Sequence, residues 1–254
     1  MKDFNALEEK NKIIEFIRDY YEKNHLGGVV IGISGGKDSG VVAGLFTEAL
    51  GPENVLGVTM PCHSKKVDRN DAKLVADYFG FQMINIELTQ THDTFKEEIN
   101  KLDNFTEDEL KNSDINLKPR LRMTTLYYIA ALYTEIKKKT YIVAGTGNKC
   151  EIFVGYFTKG GDGVSDINVL GDLTVDEVIQ IGEVLNVPNE VLYKTPNDGL
   201  SGMSDEEKLG FTYQEVAKVI DGEEVVEEVK QRILRKHEAN EHKFYIPIYR
   251  KNGN

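Results

Sequence analysis

The run Ile31-Gly32-Ile33-Ser34-Gly35-Gly36-Lys37-Asp38-Ser39-Gly40 combines two adjacent glycines, two hydroxyls, a lysine and a carboxylate. Gly35 and Gly36 let the backbone turn tightly and point its N–H groups inward. Ser34 and Ser39 offer hydroxyl donors, and Lys37 either adds positive charge or faces solvent. These are parts of a phosphate cradle, with a following helix N-terminus supplying its positive end. Asp38 stands out, because a carboxylate beside phosphates is repulsive unless a cation lies between them. Mg²⁺ suits that position, since it joins carboxylate to phosphate oxygens and keeps its remaining waters. The run has neither the spacing nor the ending of GxxxxGK[S/T], and it is not GxGxxG. The plain alternative is a structural glycine turn with Asp38 capping the next helix.

The surrounding pattern supplies the elements such a cradle needs. Residues 4–21 read as an amphipathic helix that Asp3 can cap. GGVVIGIS is a short buried strand, and DSGVVAGLFTEALG is a helix closed by Gly51. VLGVTM, the helix VDRNDAKLVADYFG and the strand FQMINIEL follow. Strands that alternate with helices and are apolar on both faces indicate parallel βαβ units. The cradle then lies at the carboxyl end of the first strand, where such sheets bind ligands. Further on, RLRMTTLYYIAALYTEIKKK is a long helix, TYIVAG a fourth strand, and residues 145–173 a segment dense in Gly and Asp. TVDEVIQIGEVLN, TYQEVAKVID and EEVVEEVKQRILRKHEAN close the chain as helices, with 198–210 read as a mobile loop. The expected class is α/β, a three-layer α/β/α open parallel sheet of Rossmann-like form. Residues 1–254 are read as one domain with a helical carboxyl-terminal portion.

Composition narrows the function. The 254 residues are 40% hydrophobic, enough for a substantial core. A net charge of −11 argues against nucleic acid and anionic membranes as partners. Two cysteines, Cys62 and Cys150, make no disulfide framework. With neither a signal pattern nor a long apolar run, the reading is a cytoplasmic protein. Cys62 and His63 are adjacent on a turn with no third ligand apparent in sequence, so they read as loop structure. Cys150 reads as a small buried hydrophobe rather than a nucleophile.

SGGKDS resembles the SGGxDS signature of the adenine-nucleotide pyrophosphatase superfamily, the adenine nucleotide alpha hydrolase-like fold. Its members cleave ATP between the α and β phosphates and adenylate an acceptor. Asn116-Leu-Lys-Pro-Arg-Leu-Arg-Met123, Gly145-Thr-Gly-Asn148, Glu151, Gly155 to Asp162, Asp166, Asp205-Glu206, Leu209-Gly210, Tyr213 and Glu241-His-Lys243 occur in the order found in ammonia-dependent NAD synthetases. The resemblance runs from about Leu7 to Pro247; no amidohydrolase domain is expected within these residues, and free ammonia, or ammonia from an external glutaminase, is the implied nitrogen donor.

That resemblance implies a homodimer that joins deamido-NAD, ATP and ammonia into NAD, AMP and pyrophosphate. It implies Asp38 and Glu151 as catalytic Mg²⁺ ligands, although Glu151 by itself reads as a solvated surface glutamate. It implies ATP contacts from Gly32, Ile33, Ser34, Gly35, Gly36, Lys37, Asp38, Ser39, Met60, Thr146, Val175 and Asn197. Arg120, Lys159, Asp166, His242 and Lys243 fall on positions that meet the deamido-dinucleotide. Phe153 and Phe157 stack on the nicotinate or pack in the core, with packing the default. Two positions depart from the pattern: Val175 stands where a lysine reaches ATP, and Asn197 where a hydroxyl is usual. Lys194 and Lys208 are alternative sources of the missing charge. Another adenylating synthetase, or a nucleotide-binding protein without turnover, are the competing readings.

Overall fold

The computed structural model describes residues 4–63, 66–103, 105–194, 205–249 and 251. The first helix, α1 (Ala6–Lys23), buries Ile13, Ile14, Ile17 and Tyr21 along one stripe. Its cap is Asn5, whose side chain accepts from the Glu8 N–H; Asp3 lies outside the described residues. Next come β1 (Leu26–Gly32), α2 (Lys37–Leu50), β2 (Val55–Thr59), α3 (Lys66–Phe79) and β3 (Gln82–Asn85). Then follow α4 (Thr89–Asn100), α5 (Glu107–Asp114), α6 (Leu117–Lys137), β4 (Thr140–Gly145), α7 (Lys149–Val154) and β5 (Ile167–Asn168). The chain continues through α8 (Val175–Val184), α9 (Asn189–Leu192), α10 (Asp205–Leu209), α11 (Tyr213–Asp221) and α12 (Glu227–Asn240). Residues 205–209, read from sequence as the end of a loop, are therefore helical; 198–204 lie outside the described residues.

All strand pairings are parallel, and the order across the sheet is β3-β2-β1-β4-β5. The chain builds outward from β1 to β2 and β3, then crosses to β4 and β5 on the other side. The crevice between the carboxyl ends of β1 and β4 is therefore the topological switch point, where open α/β sheets take ligands. Val30 sits level with both Leu56 and Val143, so the three central strands end together there.

Side-chain alternation along β1 divides the core. Val29 and Ile31 face a cluster with Ile17, Val41, Leu45, Phe46, Val75 and Ile181, which packs α1, α2, α3 and α8 on that side. Val30 faces the opposite cluster with Leu56, Val58, Ile129, Ala130 and Val143, where α6 lies. The result is the three-layer arrangement expected from the sequence. A third cluster, Cys150, Val154, Phe211, Tyr213, Val216 and Ile233, joins α7 to α11 and α12. Gly155 ends α7 at φ +65°, and a Cβ there would lie 2.3 Å from Asn240 Cβ. This close approach seats the end of α12, and with it the segment bearing His242 and Lys243, against α7. Among the described residues, no helix is long and apolar enough to cross a membrane.

Candidate active site

The cradle forms because β1 ends at Gly32 and the chain must reverse into α2 within four residues. Gly35 takes φ +82°, a left-handed value that costs a non-glycine residue about 1–2 kcal/mol. Ser34 and Ser39 lock the loop: their hydroxyls lie 3.1 Å apart, Gly36 N–H donates to Ser34 Oγ at 3.2 Å, and Ser39 Oγ donates to the Gly36 carbonyl at 3.0 Å. Ile33 N–H bonds the Val58 carbonyl at 2.9 Å and fixes the loop's root to β2. The cap of α2 is Gly36, with no side-chain cap bond, so Asp38 is not the N-cap. The first-turn N–H groups of α2 lack partners within their own helix, and their positive end faces the crevice.

Lys37 is buried at 5% exposure, which excludes the solvent-facing alternative. Its ammonium contacts Asp38 Oδ2 at 3.0 Å. An ammonium held at the positive end of a helix is unfavourable without anions close by. Asp38 provides one, and phosphates fit the rest of the cradle.

From the other side of the crevice, Asn148 caps α7, and Glu151 completes a capping box. Asn148 N–H donates to Glu151 Oε2 at 3.0 Å, and Asn148 Oδ1 accepts from Glu151 N–H at 3.1 Å. The free end of the same amide crosses to α2, where Asn148 Nδ2 donates to Asp38 Oδ1 at 3.2 Å. Asn148 is wholly buried, so one fixed residue ties both carboxylates to a common point, Asp38 through its side-chain amide and Glu151 through its backbone N–H. Glu151 is partly buried rather than a solvated surface group. Two carboxylates converging beside a phosphate cradle form a hard-oxygen donor set of the kind Mg²⁺ takes. The role of Asn148 was missed in the sequence, although a cap residue followed three positions later by Glu is a readable signal.

The other expected residues divide by location. Thr146 is partly buried just beyond β4, beside the switch point. Met60 is buried at the end of β2, where its carbonyl accepts from Arg122 Nε at 3.2 Å. Arg120 is exposed, and its guanidinium bonds the Lys159 carbonyl at 3.3 Å. Lys159 Nζ in turn reaches the carbonyls of His242 at 2.6 Å and Tyr245 at 3.0 Å. Lys243 Nζ donates to the carbonyls of Gly155 at 2.8 Å and Phe157 at 2.9 Å, and lies 5.4 Å from the Phe157 ring centroid. Burial, reinforced by the charge of Lys236, lowers the Lys243 ammonium below the usual lysine range. Arg120, Lys159, His242 and Lys243 are thus brought into one neighbourhood by the docking of α12 on α7.

Asp166 is committed differently. Its oxygens accept from Val143 N–H at 2.8 Å and the Tyr127 hydroxyl at 3.2 Å, which tie β4 to α6 at the start of β5. Burial and that negative charge raise the Tyr127 phenol to about 12.

Val175 packs partly buried against the third cluster, at the first turn of α8. Asn197 lies outside the described residues. Lys194 is paired with Asp71 at 2.7 Å. Phe153 stacks on His237 at 4.3 Å, and Phe157 meets Phe244 edge-on at 5.7 Å, consistent with packing roles. Cys150 is fully buried, with its thiol pushed up to about 11 by desolvation. Cys62 is also buried, but His63 does not stand alone: His92 and Asp93 lie against it, contrary to the expectation of no third ligand. They sit 29 and 30 positions away in sequence, on α4, and only the fold brings them together.

Comparison with known proteins shows the family and the fold. The NAD synthase family model matches residues 9–247. The NH3-dependent NAD⁺ synthetase of Carboxydothermus hydrogenoformans is 37% identical over 245 residues, covering 96% of this chain and 97% of that one. Among solved structures, an NMN synthetase from Francisella tularensis is similar with a TM-score of 0.87 and 31% identity, covering 98% of this chain and 100% of that one. An NH3-dependent NAD synthetase from Campylobacter jejuni is similar with a TM-score of 0.76 and 27% identity, covering 98% and 100% of the two chains. With sheet order, phosphate cradle and family match in agreement, the chain belongs to the NAD synthase family.

Proposed function

We propose that the chain uses ATP and ammonia to amidate deamido-NAD through an acyl-adenylate, giving NAD, AMP and pyrophosphate. A carboxylate resists attack by ammonia until it carries a good leaving group. The reading rests on one observation above others: Asn148 joins Asp38 and Glu151 across the β1–β4 switch point, beside the glycine cradle. The cradle from Gly32 to Ser39 receives the phosphates through backbone N–H groups and the end of α2. Lys37 balances their charge from a buried position. Asp38 and Glu151 are the residues that would hold Mg²⁺, which would supply positive charge to offset that of the phosphates and of the departing pyrophosphate. Thr146 lies on the ATP side, and Arg120, Lys159, His242 and Lys243 orient the acceptor. Alignment of the two reactants is itself a large part of such catalysis. The whole chain acts as one catalytic unit.

The test is NAD formation from deamido-NAD, ATP, Mg²⁺ and ammonium, with equal amounts of AMP and pyrophosphate. AMP formed only with another acceptor would overturn this substrate assignment, and ATP binding without AMP release would overturn catalysis.

A second substrate reading follows from the likeness to the Francisella NMN synthetase, with its TM-score of 0.87. The deamidated mononucleotide has the same nicotinate and ribose phosphate but no adenylate half. The dinucleotide reading predicts a higher kcat/KM for deamido-NAD than for the mononucleotide; the reverse order would select the second.

We also propose a homodimer formed through α6. Tyr128, Leu132 and Ile136 on that helix are 70%, 42% and 59% exposed, an apolar face that a second copy would cover. Sedimentation at micromolar concentration is expected to give twice the chain mass, and Leu132→Asp to give the monomer.

A further inference from the structure

The turn after β2 holds a cluster outside the machinery described above. Thr89 Oγ1 accepts from His63 N–H at 3.0 Å, and Leu88 N–H bonds the Pro61 carbonyl at 2.8 Å, so the turn is fastened to the start of α4. His63 itself sits at φ +55°, a left-handed conformation unusual for a non-glycine residue. That backbone directs its ring onto α4. His63 Nε2 lies 2.8 Å from Asp93 Oδ1, and His92 Nδ1 lies 3.0 Å from the same oxygen. The two rings are 5.2 Å apart at 76°. All three ligand atoms fall within 4.8 Å of one another, the one such group of three among the described residues.

His92 carries the argument. It is 2% exposed, and its other nitrogen, Nε2, lies 2.6 Å from Asp114 Oδ1. Asp114 is steadied by Lys96 at 3.3 Å. If Nε2 donates its proton to Asp114, the neutral ring turns the Nδ1 lone pair toward Asp93 Oδ1. Two acceptors then face each other at 3.0 Å, an arrangement that needs a proton or a cation between them. A carboxylate behind the far nitrogen of a histidine, with a second histidine and a second carboxylate in front, is the orientation that metal-binding imidazoles adopt. His63 and Asp93 are 43% and 46% exposed in their side chains, so solvent can deliver an ion and fill its remaining position.

We propose that His63 Nε2, His92 Nδ1 and an Asp93 oxygen bind a divalent cation of the Zn²⁺ class, with Asp114 orienting His92. Two imidazoles and one carboxylate are the donor set of borderline metals rather than of Mg²⁺, which separates this site chemically from Asp38 and Glu151. The ion would clamp the β2–α3 turn to α4, three residues beyond Met60.

Co²⁺ is the probe, because its visible absorption reports nitrogen and oxygen ligands directly. The full chain, stripped with chelator, should bind one equivalent of Co²⁺ with visible bands that Zn²⁺ abolishes. His63→Ala and Asp93→Asn should each weaken that binding at least about 10-fold, and Asp114→Asn about 10-fold through the lost orienting bond. Asp38→Asn should leave the Co²⁺ spectrum unchanged. Zn²⁺ should raise the melting temperature of the wild type but not of His63→Ala or of Asp93→Asn. Equal Co²⁺ affinity and spectrum in wild type and His63→Ala, or no visible Co²⁺ bands in the wild type, would overturn the proposal.

Discussion

Glu151 completes a capping box and is proposed as a metal ligand, two roles that one substitution can separate. As the N3 residue of a capping box it accepts from Asn148 N–H, and glutamine does this equally well. As the proposed metal ligand it would need its charge. Glu151→Gln is therefore expected to change urea stability by no more than about 0.5 kcal/mol while lowering kcat about 100- to 1000-fold. Glu151→Ala should lose the same activity and about 1 kcal/mol of stability as well. Equal losses of stability in both variants would mean that the carboxylate charge matters to the fold. Asn148→Ala is expected to cost about 1 kcal/mol through the cap and to lower kcat with it, because Asp38 loses the donor that positions it. The cysteines behave oppositely. With its thiol raised to about 11 and no exposed surface, Cys150 should resist thiol reagents at pH 8, and Cys150→Ser should keep ammonia-dependent turnover.

At the scale of elements, the Asp166 bridge between β4, α6 and β5 makes a pH prediction. The Tyr127 phenol is raised from 10 to about 12 in the fold, so its protonated form is favoured there. Its contribution is complete below pH 10 and is lost as pH rises toward 12. The stability gap between wild type and Tyr127→Phe, measured by urea unfolding, should therefore be constant to about pH 10 and shrink above it. A gap that widened with alkali would contradict the bond. The cradle can be tested alike. Gly35→Ala forces a side chain to φ +82° and should destabilise by about 1–2 kcal/mol while raising the KM for ATP; an unchanged KM would separate the loop from the phosphates.

Elements also show what was legible in the sequence. VVIGI and VLGVT announce β1 and β2 because buried parallel strands are apolar on both faces. The two-residue β5 carries no such run, and α7 hides in a glycine-rich segment where only its capping box marks a helix. The Asp38 half of the site was readable because loop and helix are contiguous. The Arg120–Lys159–His242 neighbourhood was reached only through family resemblance, since its members meet by the docking of α12 across more than eighty positions.

For the whole molecule, sheet order does what no single motif can. Placing β4 beside β1 brings a cradle near residue 35 and a carboxylate at residue 151 to the same crevice. The third cluster then hangs the carboxyl-terminal helices on α7, so the proposed acceptor side of the site depends on a chain segment far from the sheet. The claim on which all of this converges is one metal ion shared by Asp38 and Glu151 against the phosphates of ATP. Anomalous diffraction from crystals grown with Mn²⁺ and an ATP analogue blocked at the α–β bridge measures it directly. The account predicts one Mn²⁺ peak within about 2.2 Å of an oxygen from each carboxylate and of a phosphate oxygen. A peak that touches the phosphates and water but neither carboxylate would contradict it.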